Sequence, residues 1–178
     1  MATKNGLGAA RLLLAKGADP NAPDAKGRTC LHLALDRLLE VSPMGILTDT
    51  EACFALIKLL LAKGADPLRP HPAGTGGSCA HWCVMSGHVD ALEVLLAHTF
   101  GVVRARLLNG EEPSEGLTPL MLSARENKVG CLESLLRNGA DAGLVSSAGG
   151  TARALAERQG HTAAVCILDT FSSFAGVA

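Results

Sequence analysis

The sequence predicts an all-α protein built from repeated pairs of short helices, and three observations point to this class. Nine residues, LLLAKGADP, stand at 12–20 and return unchanged at 59–67. Hydrophobic residues make up 48% of the chain, yet only 3% of it is aromatic. The core must therefore be built from Leu, Ala and Val, which favours closely packed helices over a sheet sandwich. A second motif, Gly, one spacer and then Thr or Ser, recurs between the copies and completes a period typical of repeat proteins.

The copied stretch predicts the end of one helix in each unit and the turn that follows it. Its anchor is a pair of adjacent aliphatic residues, found at Leu13-Leu14, Leu60-Leu61, Leu95-Leu96, Leu135-Leu136 and, in a weaker copy, Ile167-Leu168. Gly17, Gly64 and Gly139 follow three of these pairs and fit the left-handed cap that glycine adopts at low cost. The Asp-Pro that follows in the first two copies turns the chain out of the helix, because a residue before Pro avoids helical geometry.

The second motif predicts where the other helix of each unit begins. Four hydroxyl residues fit the N-cap position, namely Thr29, Ser78, Thr118 and Thr151. Pro119 then occupies the first helical position, where its missing N–H costs nothing. His32 and His81 lie three residues after their caps and can hydrogen-bond back to the hydroxyl, as Glu or Gln does in a capping box.

These motifs together resemble the ankyrin repeat, a unit of about 33 residues with a T-P-L-H-x-A signature. Thr118-Pro119-Leu120 keeps the T-P-L, while Gly87-His88 and Gly160-His161 keep a Gly-His pair before the second helix. The likeness covers roughly residues 6–170. It implies an all-α ankyrin-repeat solenoid of stacked helix-turn-helix units with extended finger loops. We expect four helix pairs and one lone N-terminal helix. These units must stack on one another, because one pair cannot bury its own apolar face.

We expect a single ankyrin-repeat domain over residues 1–178. Its units are a partial repeat at 1–26 and repeats at about 27–75, 76–115, 116–148 and 149–174. The partial repeat lacks a first helix. The chain is therefore either a fragment of a longer protein or uses the lone helix as a degenerate cap, and terminal repeats are usually atypical.

Two insertions interrupt the period, at 36–51 and 99–117. In the first, we expect a helix to extend to about Val41 and a new one to start at a T-x-x-E capping box beginning at Thr48. In the second, VVRARLL is predicted to form a strand-like arm and Asn109-Gly110 a tight turn. Each insertion is either a functional loop or tolerated surface drift, since loop length costs little free energy.

The stretch CAHWC is the strongest candidate for chemistry. Cys79 and Cys83 share a helix face, and Cys30 or His32 could add a third metal ligand, which leaves a Cys/His metal-dependent or Cys-based enzyme as an alternative. The ankyrin repeat gives the same residues roles that need no metal. Cys79 takes the position of the signature Pro, His81 is the capping His, and Cys83 takes a position usually held by a small residue. We therefore predict no enzyme activity, no metal and no cofactor.

Composition narrows the class of partner and the compartment. The net charge is −1 and basic residues form no run, so the sequence predicts neither nucleic-acid nor membrane binding. No stretch is long enough to span a bilayer, and the first residues lack the apolar core of a signal peptide. The chain is too long and too poor in Cys for a disulfide scaffold. We expect a monomer in the cytoplasm, with the nucleus as a second possibility.

The resemblance implies that the protein binds another protein on a concave face, formed by finger tips and the exposed side of the first helices. Finger tips are expected at 24–26, 71–73, 109–115 and 146–147. The candidate partner-binding residues are Arg37, Trp82, Met85, Ser86, Asn109, Glu111, Glu112, Arg125, Glu126 and Arg158. They combine an apolar centre with an Arg-bearing rim, as protein interfaces do. Trp82 is interpreted either as part of an apolar ladder between first helices or as a binding hot spot.

The expected function is that of a scaffold or adaptor, with a regulatory inhibitor of an enzyme such as a kinase as the alternative. The identity of the partner does not follow from the sequence. Leu13, Asp19 and Asn21 also resemble the L-x₅-D-x-N pattern that ankyrin repeats present to an asparaginyl hydroxylase, which makes Asn21 a candidate modification site. Pro20 departs from the Val or Ile that is usual in that pattern.

Overall fold

A computed structural model describes residues 4–39, 50–72 and 76–175, and the fold over these ranges contains helices and no strands. The helices are α1 (Lys4–Ala15), α2 (Cys30–Leu39), α3 (Thr50–Ala62), α4 (Cys79–Ser86), α5 (Val89–Ala97), α6 (Gly101–Asn109), α7 (Pro119–Arg125), α8 (Val129–Arg137), α9 (Ala152–Gln159) and α10 (Thr162–Ala175). The all-α prediction is confirmed. None of these helices is both long enough and apolar enough to cross a membrane.

The helices form two layers. Helix α2 packs on α3, α4 on α5, α7 on α8 and α9 on α10, which gives the four expected pairs. The first helices of the pairs contact one another in the order α2, α4, α7 and α9, and the second helices follow as α1, α3, α5, α8 and α10. Each unit thus buries its apolar face against its neighbours, as in other linear repeat proteins.

The first leucine of the copied Leu-Leu pair lies in the core between the two layers in three of the units. Leu95 and Leu135 are 0% exposed and Leu60 is 2% exposed. In α1 the equivalent Leu13 is 62% exposed, because no first helix lies beside α1 within the described residues. Where a unit has neighbours on both sides, the first leucine of the pair therefore fills the same buried position.

The predicted caps are present. Gly17, Gly64 and Gly139 have φ values of 88°, 85° and 89°, which a residue with a Cβ adopts only with strain. The hydroxyl of Thr118 accepts a hydrogen bond from the Met121 N–H at 3.3 Å, and Thr151 does the same for Ala154. These contacts satisfy donors that the first turn of a helix leaves unpaired.

The two capping histidines do more than close a helix. Nδ1 of His81 accepts the Ser78 backbone N–H at 3.1 Å and lies 3.0 Å from the Ser78 hydroxyl, as expected. Nδ1 of His32 likewise accepts the backbone N–H of Thr29 at 3.1 Å. Since Nδ1 is the acceptor, the proton sits on Nε2, which donates to the Arg69 carbonyl from His32 at 3.1 Å and to the Leu117 carbonyl from His81 at 3.0 Å.

Stability is expected to fall as the pH drops below about 6.5, the usual pKa of an unfolded histidine. Burial lowers the pKa of both His32 and His81, so the folded protein keeps these rings neutral where the unfolded chain takes up protons. Each ring contributes up to about 1.4 kcal/mol per pH unit. Urea unfolding at several pH values between about 7.5 and 5 measures how steeply the free energy of unfolding depends on pH. A free energy of unfolding that does not change over this range would contradict the claim that His32 and His81 stay neutral in the folded protein. His81→Gln, which keeps a capping acceptor, should make the dependence on pH less steep.

The second insertion is a helix, so the prediction of a strand-like arm is wrong. Helix α6 packs against α4 and α7 and buries Leu107 and Leu108, which are 0% and 5% exposed. The guanidinium of Arg104 donates to the Leu96 carbonyl and, at 2.7 Å, to Oδ1 of Asn138. The expected tight turn is also absent, because Asn109 ends α6 and Gly110 is extended. In the first insertion, Val41 and Thr48 lie outside the described residues.

Two asparagines connect consecutive repeats. Oδ1 of Asn21 accepts the Asp66 N–H at 2.7 Å, and its amide donates to the Gly64 carbonyl at 2.9 Å. Oδ1 of Asn109 accepts the Asp141 N–H at 2.9 Å in the same way. Both side chains thus hold the turn after the second helix of the following repeat.

Replacing Asn109 with alanine is expected to lower the free energy of unfolding by about 0.5–1.5 kcal/mol, because the exposed Asp141 N–H exchanges its protein acceptor for water. Asn109→Asp keeps an acceptor oxygen and should cost less. Chemical denaturation followed by circular dichroism compares the two variants. Equal stability of wild type and Asn109→Ala would show that this contact contributes nothing.

Candidate functional site

One face of the stack combines the first helices with four finger loops, and we call it the finger face. It consists of the exposed sides of α2, α4, α7 and α9 and the fingers that precede them. Each finger is closed by a backbone hydrogen bond, from Asp24 N to Arg28 O, His71 N to Gly77 O, Glu112 N to Leu117 O and Ser146 N to Gly150 O, at 2.8, 3.3, 3.0 and 3.0 Å. Equivalent residues therefore begin all four fingers.

His71 joins the second finger to two first helices. Its ring stacks on Trp82 with centroids 3.9 Å apart and an interplanar angle of 3°, and it meets His32 edge to face at 4.9 Å. Its Nε2 donates to Oδ1 of Asp36 at 3.0 Å. His71 is only 2% exposed, so the expectation that it forms an exposed finger tip is wrong.

Trp82 and Met85 form the apolar centre of the finger face. Trp82 is half-buried because His71 covers one side of its ring. Its Nε1–H is buried and has no acceptor among the described residues. Met85, one helical turn further along α4, is 36% exposed, and Ser86 beside it is half-buried. Trp82 thus belongs to the packing between first helices and still borders the open surface.

Charged groups flank this centre on the side of the first repeat. Arg28 pairs with Asp24 at 2.9 Å and approaches Asp36 at 3.8 Å. Arg37, a predicted binding residue, is half-buried on α2. Two backbone N–H groups and the Arg28 guanidinium bind the Asp24 carboxylate, and together they hold its pKa below the usual value. These contacts fix the first finger against α2.

Arginines also line the other side of the centre. Arg125 pairs with Glu115 of the third finger and, at 3.0 Å, with Glu126. Arg158 on α9 is exposed. The Arg125 side chain is half-buried between these two partners, whereas Glu126 is exposed. The predicted residues Trp82, Met85, Arg125 and Arg158 lie on successive first helices.

The third finger departs from the sequence-based expectation. Glu112 is 2% exposed rather than at an open tip, and Glu111 beside it is exposed. The Glu112 carboxylate accepts hydrogen bonds from the backbone N–H groups of Ser114 and Glu115, each at 2.8 Å. Burial raises its pKa, but the hydrogen bonds from Ser114, Glu115 and Leu117 outweigh burial, so the pKa lies below its usual value. Glu112 therefore shapes the finger.

Burial makes three of the cysteines, including both in CAHWC, poor nucleophiles and poor metal ligands. All six are free. Burial raises the pKa of Cys79 and Cys83 far above the usual range and that of Cys131 to about 11. A thiol that stays protonated is a poor nucleophile and a poor ligand. Over residues 4–39, 50–72 and 76–175, no group of three or more His, Cys, Asp or Glu side chains is placed to hold a metal ion.

The contacts of His71 and Asp36 are the main feature that the sequence did not predict. Aspartate, glutamate and serine begin the other three fingers and could bind the loop's own N–H groups. A histidine at the same position cannot accept several N–H groups at once. The sequence therefore contained one indication that the first side chain of the second finger points inward, namely a histidine where the other fingers begin with Asp, Glu or Ser.

Comparisons with known proteins agree with this architecture. A family model described as ankyrin repeats (3 copies) matches residues 49–146, and a second, described as ankyrin repeats (many copies), matches residues 1–37. The first match alone covers more than half of the chain, and the chain belongs to the ankyrin-repeat family. No curated protein matches it in sequence. Ankyrin repeats are generally protein–protein interaction modules and are typically not enzymes.

Proposed function

We propose that the finger face binds another protein and that the chain acts as an interaction scaffold or adaptor. The observation that carries the proposal is the apolar centre of Trp82 and Met85, open to solvent between charged side chains that include Arg125 and Arg158. A partly exposed aromatic with an apolar neighbour and a rim of arginines has the composition of an interface core. A regulatory inhibitor would use the same face, and the identity of the captured partner decides between these roles.

The test begins with affinity capture and mass spectrometry to obtain a partner, followed by affinity measurements with variants of the purified chain. Met85→Asp places a charge in the apolar centre and is expected to weaken binding by at least about tenfold, which corresponds to 1.4 kcal/mol. Arg158→Glu should weaken it less, as rim charges do. Arg125 is a poorer choice, because its replacement also breaks the contact with the third finger.

The matched control is Glu93→Lys on α5, an exposed residue of a second helix. It should leave the affinity unchanged, and all three variants should keep the helical circular dichroism of the wild type. If Glu93→Lys weakens binding while Met85→Asp and Arg158→Glu do not, the proposed face is wrong.

Asn21 remains a candidate for hydroxylation. Its side-chain amide is engaged with Gly64 and Asp66, so a modifying enzyme would have to open this contact first. Mass spectrometry after incubation with an asparaginyl hydroxylase should show the gain of one oxygen atom at Asn21. Modification only at other residues would exclude it.

A further inference from the structure

The ring of Trp82 is held in place by stacking rather than by a hydrogen bond. It lies parallel to the His71 ring, with the two centroids 3.9 Å apart and an interplanar angle of 3°. Its Nε1–H is buried and meets no acceptor among the described residues. Because the second side-chain torsion of tryptophan has broad minima, the orientation of the indole depends on the groups that pack against it.

The His71 ring is itself fixed by contacts with helix α2 and with its own finger. Its Nε2 donates to Oδ1 of Asp36 at 3.0 Å, and its centroid lies 4.9 Å from that of His32, edge to face. Its backbone N–H donates to the Gly77 carbonyl at 3.3 Å. Since His71 is only 2% exposed, a partner on the finger face does not contact it directly.

Asp36 connects this stack to the first finger. Its Oδ1 accepts from His71, and its Oδ2 lies 3.8 Å from Nη1 of Arg28, which also pairs with Asp24. Asp36 makes no hydrogen bond to the indole, because Nε1 of Trp82 has no partner within the described part of the chain. Any effect of Asp36 on the orientation of the indole therefore passes through His71.

We propose that His71 is a positioning residue of the finger face, which fixes the orientation in which Trp82 meets a partner, and that Asp36 acts on Trp82 through His71. An indole that is already ordered loses less conformational entropy when it binds, and buried aromatic anchors dominate the energy of many interfaces. The effect of His71 on a partner rests on the proposed function of the finger face. Its effect on the indole can be measured in the chain alone.

Tryptophan fluorescence provides that measurement. Trp82 is the only tryptophan and the chain has no tyrosine, so the emission reports this ring. His71→Ala uncovers one side of the indole and should increase its quenching by acrylamide and shift its emission to longer wavelength. Asp36→Ala should change both in the same direction, although it leaves the His71 ring in the chain. The matched control is Asp90→Ala on α5, an exposed aspartate of a second helix, which should change neither.

A double-mutant cycle separates positioning from a general loss of stability. Phenylalanine at position 71 can stack on the indole but cannot donate to Asp36, so His71→Phe should keep the quenching close to that of the wild type. Asp36→Ala should then have no further effect in the His71→Phe background. Unchanged quenching in Asp36→Ala, or an equal effect of Asp36→Ala in both backgrounds, would overturn the proposal even if His71→Ala fails to fold.

Isothermal titration calorimetry with the captured partner measures the consequence for binding. His71→Ala and Asp36→Ala should each lower the affinity about 3- to 10-fold, and His71→Phe should restore most of it. A direct contact between Asp36 and the partner would instead persist in the His71→Phe background. If Met85→Asp weakens binding while His71→Ala binds as the wild type does, the positioning role is wrong and the finger-face proposal stands. If neither variant weakens binding, the finger-face proposal fails, and the quenching cycle still decides whether His71 positions Trp82.

Discussion

Replacing His81 with alanine is expected to lower the free energy of unfolding by about 2–4 kcal/mol. The ring is 2% exposed and bridges the Ser78 N–H and the Leu117 carbonyl, so its removal leaves both groups unpaired in the interior. An unsatisfied buried polar group costs about 1–3 kcal/mol. The ring also packs against Gly77, where a Cβ would lie 2.6 Å from its Cγ, and alanine leaves this space empty.

Urea unfolding at about pH 7.5, where the unfolded histidine is also neutral, measures this loss without a contribution from protonation. His81→Gln is the matched control, since glutamine at the same position can accept the N-cap N–H as in a capping box. We expect the glutamine variant to recover part of the stability. An alanine variant within about 0.5 kcal/mol of wild type would show that the ring does not join the repeats.

Replacing Leu95 with alanine is expected to cost about 2–5 kcal/mol, because it opens a cavity between two layers of helices that can relax only partly. Leu95 is 0% exposed, and the equivalent residue of the first unit, Leu13, is 62% exposed. Leu13→Ala should therefore cost less than about 0.5 kcal/mol, as surface substitutions do. The two variants make the same chemical change at the same position of the repeat.

Denaturation of both variants by urea or heat gives the comparison directly. If Leu13→Ala and Leu95→Ala destabilise the protein equally, the copied motif does not act through burial between neighbouring units. A lower midpoint for Leu95→Ala with an unchanged denaturant slope would support the account, because the slope reports the surface exposed on unfolding.

The fold was predictable because each unit repeats local signals that agree with its packing. Thr118 and Thr151 cap their helices through the hydroxyl, and Gly64 and Gly139 end theirs with positive φ. Such contacts depend on residues within one turn of the helix, so they can be predicted from a single sequence.

What could not be predicted depends on contacts between units. Valines followed by Asn-Gly are typical of hairpins and favour a strand before Asn109. Burial of Leu107 and Leu108 and the hydrogen bonds of Arg104 stabilise a helix there instead. The His71 side chain points into the protein because it stacks on Trp82 and hydrogen-bonds to Asp36, which lie on two different helices. The predicted repeat boundaries, the monomeric state and the compartment stay predictions. So do the binding roles of the predicted residues other than the buried Glu112, namely Arg37, Trp82, Met85, Ser86, Asn109, Glu111, Arg125, Glu126 and Arg158.

The claim that the finger face is the binding surface can be tested most directly by site-specific photo-crosslinking in the presence of the captured partner. A photoreactive phenylalanine analogue replaces either Met85 on α4 or Glu93 on α5, both exposed positions. If the partner binds the finger face, a covalent adduct with it is expected from position 85 and none from position 93. An adduct from position 93 alone would place the partner on the second helices and contradict the account.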